Sequence, residues 1–183
     1  EDDIALARDH NCHIMHCPQS NLKLANGFCP VVKFIENEVN VALGTDSAAS
    51  NNTLDLFSEI KSASLLAKAV SGDAASLDAH AALRMATING AKALAWDNEI
   101  GSLESGKQAD IIAVKIDSIS QQPLYNPASQ LVYTNSGSQV SHSWVAGKML
   151  LENRKLCTIN ERSLIQTTEQ WRKKIHPNHE HFD

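Results

Sequence analysis

Apolar residues at Leu54, Phe57, Ile60, Leu65 and Leu66 recur near helical spacing, and the segment from Leu54 to Val70 holds neither proline nor glycine. A long helix is predicted there. Just upstream, Val41-Ala42-Leu43 is a short apolar run that breaks at Gly44 into the polar cluster Thr45-Asp46-Ser47-Ala48-Ala49-Ser50-Asn51-Asn52. This is the pattern of a buried strand, Asn40 to Leu43, passing its C-terminal end to a loop. Cys12 to His16 reads as an earlier strand, preceded by a helix over Glu1 to Asp9 that Asp2 or Asp3 can cap. Pro18 to Asn21 reads as a turn, and Val31 to Ile35 as a short helix feeding the Asn40 strand. Such alternation is the βα grammar of a parallel sheet or barrel, whose site is built by the loops at the strand C-termini. Asp46 stands just past one such tip. The same place also suits an Asp that only hydrogen-bonds the loop amides after it.

Ser76 to Ala95 reads as a further helical region, capped by Ser76 or Asp78 and interrupted near Asn89-Gly90. After Trp96 the rhythm shortens. Gly101, Gly106, Pro123, Pro127, Gly137 and Gly147 punctuate β-rich runs at Ala109 to Ile116, Gln130 to Thr134, Val140 to Ala146 and Lys148 to Leu151. Val145-Ala146-Gly147-Lys148-Met149 suggests a tight hairpin with Gly147 at positive φ. A boundary is expected at about 97 to 104, separating residues 1–98 from a small antiparallel sheet in 99–183 that ends in a helix over Asn160 to Lys174 and a polar tail, His176 to Asp183.

Bulk composition narrows the partners. The 183 residues are 43% hydrophobic and 20% charged, enough apolar content for a sizeable core in one or two domains. Net charge is -5 and the Lys/Arg positions never cluster beyond Arg172-Lys173-Lys174, so neither nucleic acid nor an anionic membrane is an expected partner. Four cysteines, Cys12, Cys17, Cys29 and Cys157, are too sparse for a disulfide framework, and no secretory signal or run of about 18 apolar residues is evident. The expected location is the cytoplasm.

Three groupings invite chemistry. His10, Cys12, His13, His16 and Cys17 superficially resemble a zinc site, but strand alternation points His13 and His16 to opposite faces and His10 precedes the strand. His176, His179 and His181 belong to a tail, where solvation is the ordinary reading. His16 and Asp46 fall at the tips of neighbouring strands and need further ligands to hold a metal.

The runs His16-Cys17-Pro18-Gln19-Ser20-Asn21-Leu22-Lys23-Leu24-Ala25-Asn26-Gly27, Leu43 to Asn52, Ala86-Thr87-Ile88-Asn89-Gly90-Ala91 and Ile100 to Asp110 resemble the amidohydrolase superfamily. Within it they are most similar to the 5-methylthioadenosine/S-adenosylhomocysteine deaminases and the triazine (ammeline-type) hydrolases. The resemblance implies an α/β chain forming the C-terminal part of a metal-bearing (β/α)8 TIM barrel, its last two strands with flanking helices, joined to a small β-sandwich. It places His16 at the seventh strand and Asp46 at the eighth, and implies that the remaining metal ligands lie upstream of Glu1.

On that resemblance Asp46 is both metal ligand and catalytic proton acceptor, and the metal is divalent, zinc by expectation. Such an ion lowers the pKa of bound water to about 7, and Asp46 would take the proton and pass it to departing ammonia. His16, Ser20, Asn21, Ser47 and Asn51 are expected to shape and brace the loops around it, with Ser50 and Asn52 beside them. The expected reaction is removal of an exocyclic amine from an adenine-like nucleoside. A triazine chlorohydrolase is the alternative enzyme, and a non-catalytic fragment the alternative of another class. The chain alone is expected to be inactive, and either to associate as a homo-oligomer through uncovered strand faces or to lack an N-terminal part.

Overall fold

The computed structural model describes residues 2–134 and 136–175. Its first part runs α1 (Asp2–Asp9), β1 (His13–His16), α2 (Pro18–Lys23), α3 (Val31–Glu36), β2 (Asn40–Leu43) and α4 (Leu56–Ser71). β1 and β2 pair in parallel, His13 opposite Asn40 and His16 opposite Leu43. Both strands therefore end at one edge, where Gly44 N–H still donates to His16 O at 3.0 Å. β2 is buried at Val41, Ala42 and Leu43, as its unbroken apolar run requires. Met15 on β1 is 52% exposed, so that face of the strand is uncovered in the chain as it stands.

Pro18 to Asn21 is not a turn. Pro18 occupies the first turn of α2, where its fixed φ suits a helix start and its missing N–H costs nothing. α4 begins where Asp55 accepts the Phe57 N–H at 3.0 Å, and ends at Gly72, whose φ of 70° closes it in the left-handed region. Its inward stripe, Ile60, Ala63 and Ala67, packs with Val41 and Leu43.

The helical region after Ser76 divides into α5 (Ala79–Met85), capped by Asp78 on the Ala81 N–H, and α6 (Ile88–Ala93). The break lies at Ala86-Thr87 rather than at Asn89-Gly90. Asn89 sits inside α6 because its side-chain amide donates to Val41 O at 2.9 Å, tying the helix to the β2 backbone.

Gln130 to Thr134 is not a strand. Gln130 to Tyr133 belongs to α7 (Pro127–Tyr133), started by Asn126, whose side chain accepts the Ser129 N–H, with Pro127 in the first turn, and Thr134 follows its end. Ala128 and Val132 bury into the core of the first part, and the Tyr133 hydroxyl meets Ser64 Oγ at 2.8 Å. Burial on a helical face overrides the β propensity of Val and Tyr.

The remaining strands, β3 (Ile111–Val114), β4 (Val140–Val145), β5 (Lys148–Glu152) and β6 (Lys155–Leu156), form an antiparallel sheet in that order. The sequence pattern missed β6, which is two residues long. Val145 pairs with Lys148, and the turn residues Ala146 and Gly147 have φ of 48° and 75°. Positive φ at both central positions matches the strand twist in a two-residue hairpin. Asp110 Oδ1 accepts the Ala146 N–H at 2.6 Å, so the Gly101 to Asp110 motif holds this turn from outside the sheet. α8 (Glu161–Ile175) has no buried residue. His176, His179 and His181 lie outside the described residues. Among the described residues no helix is long and apolar enough to cross a membrane.

Candidate functional site at the strand tips

Asp46 follows β2 by three residues and is exposed, with φ of 58°. Asp is one of the few residues that accepts this left-handed geometry, and here it turns the carboxyl group back over the β1 tip. Its Oδ2 accepts two hydrogen bonds, from Ser20 Oγ at 2.7 Å and from Ser50 Oγ at 2.6 Å. Both serines are buried, Ser20 to 2% and Ser50 to 7% exposure. An exposed carboxylate is thus fastened from beneath by two buried hydroxyls, while Oδ1 is free of both. The Ser50 and Ser20 hydroxyls, followed by the Ser47 N–H, hold its pKa below the usual carboxylate range.

α2 and the Asp46 loop are joined at further points. Lys23 Nζ donates to Ala49 O at 2.9 Å and to Asn52 Oδ1 at 2.6 Å. Beneath the loop lies Glu59 of α4, fully buried. Its Oε2 accepts the Gln19 N–H at 3.1 Å and its Oε1 accepts Asn51 Nδ2 at 2.5 Å. Desolvation raises the Glu59 pKa, opposed by these two donors. The Cys17 thiol lies against Gly44, where a Cβ would meet its Sγ at 3.3 Å. Burial and then the Asp46 charge raise that thiol's pKa, so it is protonated at neutral pH.

The residues anticipated around Asp46 divide into two sets. The Ser20 hydroxyl and the Ser47 N–H act on its carboxylate, whereas Asn51 donates to Glu59 instead. His16 and Asn21 make no hydrogen bond to it; they line a small cavity of about 10 Å³ with Pro18, Leu22 and Phe28, too small for a substrate. His16 is 4% exposed, its Nδ1 meets no hydrogen-bond partner among the described residues, and burial lowers its pKa to about 4. The imidazole is therefore neutral.

His10, Cys12, His13, His16 and Cys17 do not assemble. His13 Nδ1 instead meets Asn40 Nδ2 at 2.8 Å, and among the described residues no group of three or more His, Cys, Asp or Glu could hold a metal. The donor set fits a metal in one respect only: Asp46 is ionised, accessible and fixed, and would be one ligand among others supplied from elsewhere.

Glu59 is the side chain beneath the loop that sequence patterning missed. It reads as one polar position on an amphipathic helix, yet it lies in the inward stripe, one turn before Ala63 and two before Ala67. A carboxylate in that stripe is the available signal, because ionisable residues are rarely buried without partners.

The sequence pattern of the amidohydrolase family matches residues 1–150. A 5-methylthioadenosine/S-adenosylhomocysteine deaminase from Teredinibacter turnerae is 52% identical over 174 residues, 95% of this chain and 39% of the relative. An adenosine deaminase from Xanthomonas campestris, solved with bound zinc, superposes with a TM-score of 0.94 at 45% identity, over 96% of this chain and 40% of that one. An atrazine chlorohydrolase from Arthrobacter aurescens, also with zinc, has a TM-score of 0.86 at 26% identity, over 92% and 38%. The chain thus spans about two fifths of the length of the proteins it matches.

Proposed function

The chain belongs to the amidohydrolase family, and on that premise we propose that it supplies the last two barrel strands and one metal ligand of a deaminase acting on an aminopurine nucleoside of the 5-methylthioadenosine or S-adenosylhomocysteine type. In this reading residues 1–98 belong to the (β/α)8 barrel, with β1 as its seventh strand and β2 as its eighth. Residues 99–183 carry a small β-sandwich to which the β3–β6 sheet contributes. Identity to deaminase-named relatives over nearly the whole chain favours this substrate class above the triazines.

The observation that carries the proposal is the presentation of Asp46: an exposed carboxylate at a strand tip, kept ionised and oriented by Ser20 and Ser50. Asp46 would hold the metal together with histidines from the rest of the barrel. When bound, zinc supplies the acidity that makes water a nucleophile at neutral pH. The chain's own contribution is to the proton. The Asp46 carboxylate is the group that would accept the water proton and return it to the departing amine. Ionisation at rest is required for that role, and the Ser20, Ser50 and Ser47 donors favour it.

The test is an assay of the full-length, zinc-loaded protein for ammonia release from 5-methylthioadenosine and S-adenosylhomocysteine, beside chloride release from a chlorotriazine. Ammonia release from either nucleoside is expected. Chloride release without ammonia release would transfer the protein to the chlorohydrolases, and neither activity would overturn the enzymatic reading.

A further inference from the structure

We propose that Glu59 is a positioning residue for the Asp46 carboxylate, acting through both arms that hold it. The proposal rests on the reading of Asp46 as a metal ligand and deepens it.

Glu59 is buried beneath the loop and makes no hydrogen bond to Asp46. Its two carboxylate oxygens serve two different segments. Oε2 accepts the backbone N–H of Gln19, the residue before Ser20, and Oε1 accepts the side-chain amide of Asn51, the residue after Ser50. Ser20 and Ser50 are the two serines whose hydroxyls fall on Asp46 Oδ2. One buried carboxylate is therefore the shared footing of both hydroxyl arms, each one residue removed from it in sequence.

The stiffness of the arrangement follows from its burial and from the directions of its bonds. Glu59 is 0% exposed and Asn51 3%, so neither can exchange its partner for water without opening the loop. Asn51 cannot simply turn its amide over. Its Oδ1 faces the Thr53 N–H at 3.4 Å and Thr53 Oγ1 at 3.2 Å, which fixes its NH2 group toward Glu59. Only an acceptor with two free oxygens satisfies Gln19 and Asn51 together. A carboxamide at position 59 offers one acceptor and one donor, so one arm would face a donor with a donor.

That constraint yields a variant pair which separates positioning from mere stability. Glu59→Gln should release one arm. Combining it with Asn51→Asp restores both, because the new amide accepts from Gln19 with its oxygen and donates to the new carboxylate at position 51. Total charge is unchanged from wild type, and Thr53 still finds an acceptor.

The experiment uses the full-length protein in five forms: wild type, Asp46→Asn, Glu59→Gln, Asn51→Asp and the Glu59→Gln/Asn51→Asp double variant. Zinc affinity is read by chelator competition, kcat and KM by ammonia release, and folding by thermal denaturation. Disturbing a group that orients a metal ligand weakens affinity or activity by about 10- to 100-fold. Glu59→Gln is expected to lose zinc affinity and kcat within that range with KM little changed, and the double variant to recover to within about threefold of wild type. Glu59→Gln with wild-type zinc affinity and kcat, or a double variant no better than the worse single, would overturn the proposal. Where Glu59→Gln yields too little folded protein, the double variant against Asn51→Asp carries the same comparison. A footing that matters only for folding would lower the melting temperature and leave the zinc affinity of the folded protein unmoved. The Asp46→Asn arm separates the two levels: if it binds zinc as wild type does, the reading of Asp46 falls, whereas if it loses zinc and Glu59→Gln does not, the role of Glu59 alone falls.

Discussion

Ser20 Oγ lies 2.7 Å from Asp46 Oδ2 across the tips of β1 and β2, so the helix that follows one strand fastens the carboxylate that follows the other. The parallel pairing makes this contact possible. With His16 opposite Leu43, the strands end level, and the segments leaving them run side by side above the same edge. Ser50 adds a second hydroxyl to the same oxygen, within the loop. The carboxylate is thereby held between two segments that the chain separates by 26 positions.

In the full-length protein, Asp46→Asn should preserve the fold, since the side chain is exposed and an amide oxygen still accepts from the serines. Activity should collapse. Loss of a general base alone costs about 10²- to 10⁴-fold, and loss of a charged ligand adds to it. Steady-state kinetics on zinc-loaded protein decide the matter; wild-type turnover would show that the carboxylate plays no chemical part.

The chain from Glu1 to Asp183 by itself should bind no stoichiometric zinc and deaminate nothing, because on the proposed reading Asp46 would provide only one of the three protein ligands that catalytic zinc ordinarily takes. Elemental analysis after dialysis measures the first and ammonia release the second. One retained zinc per chain that disappears in Asp46→Asn would contradict this expectation.

His16 predicts a pH dependence of stability. Burial lowers its folded-state pKa from 6.5 to about 4, so the unfolded state takes up the proton first as the solution is acidified. The contribution is complete above the unfolded value and declines as pH falls toward the folded one, with a ceiling of about 3 kcal/mol at 1.36 kcal/mol per unit. His16→Phe removes the titration. The wild-type melting temperature should therefore fall more steeply than the variant's across that interval, and parallel curves would count against the shift.

Two glycines with similar backbones test steric against conformational cost. Gly147 has φ of 75° with nothing near a Cβ, whereas at Gly101, φ 89°, a Cβ would stand 2.7 Å from Ala91 Cβ. Gly147→Ala should destabilise by about 1 kcal/mol through backbone strain alone, and Gly147→Val by more. Gly101→Ala should exceed Gly147→Ala, because α6 must shift as well. Denaturant midpoints at constant slope read the difference.

Local pattern determined a good deal of this protein. The apolar run at Val41 to Leu43 sufficed for β2, the spacing from Leu54 onward for most of α4, and Ala146-Gly147 for the hairpin, because each depends on neighbours within one turn or one strand. The position of Asp46 at a strand tip was legible for the same reason. What tertiary structure decided is whatever depends on a distant partner. Gln130 to Thr134 carries β-favouring residues but is helical through Tyr133, because Ala128 and Val132 fit into a core built by the first part of the chain. Glu59 shows locally only that a carboxylate sits in the inward stripe of α4; its partners Gln19 and Asn51 lie 40 and 8 positions away and meet it only once β1 and β2 pair. Hydrophobic periodicity records which face of an element turns inward. It does not record which polar group that face will meet, and at Asp46 that meeting holds the carboxylate in place.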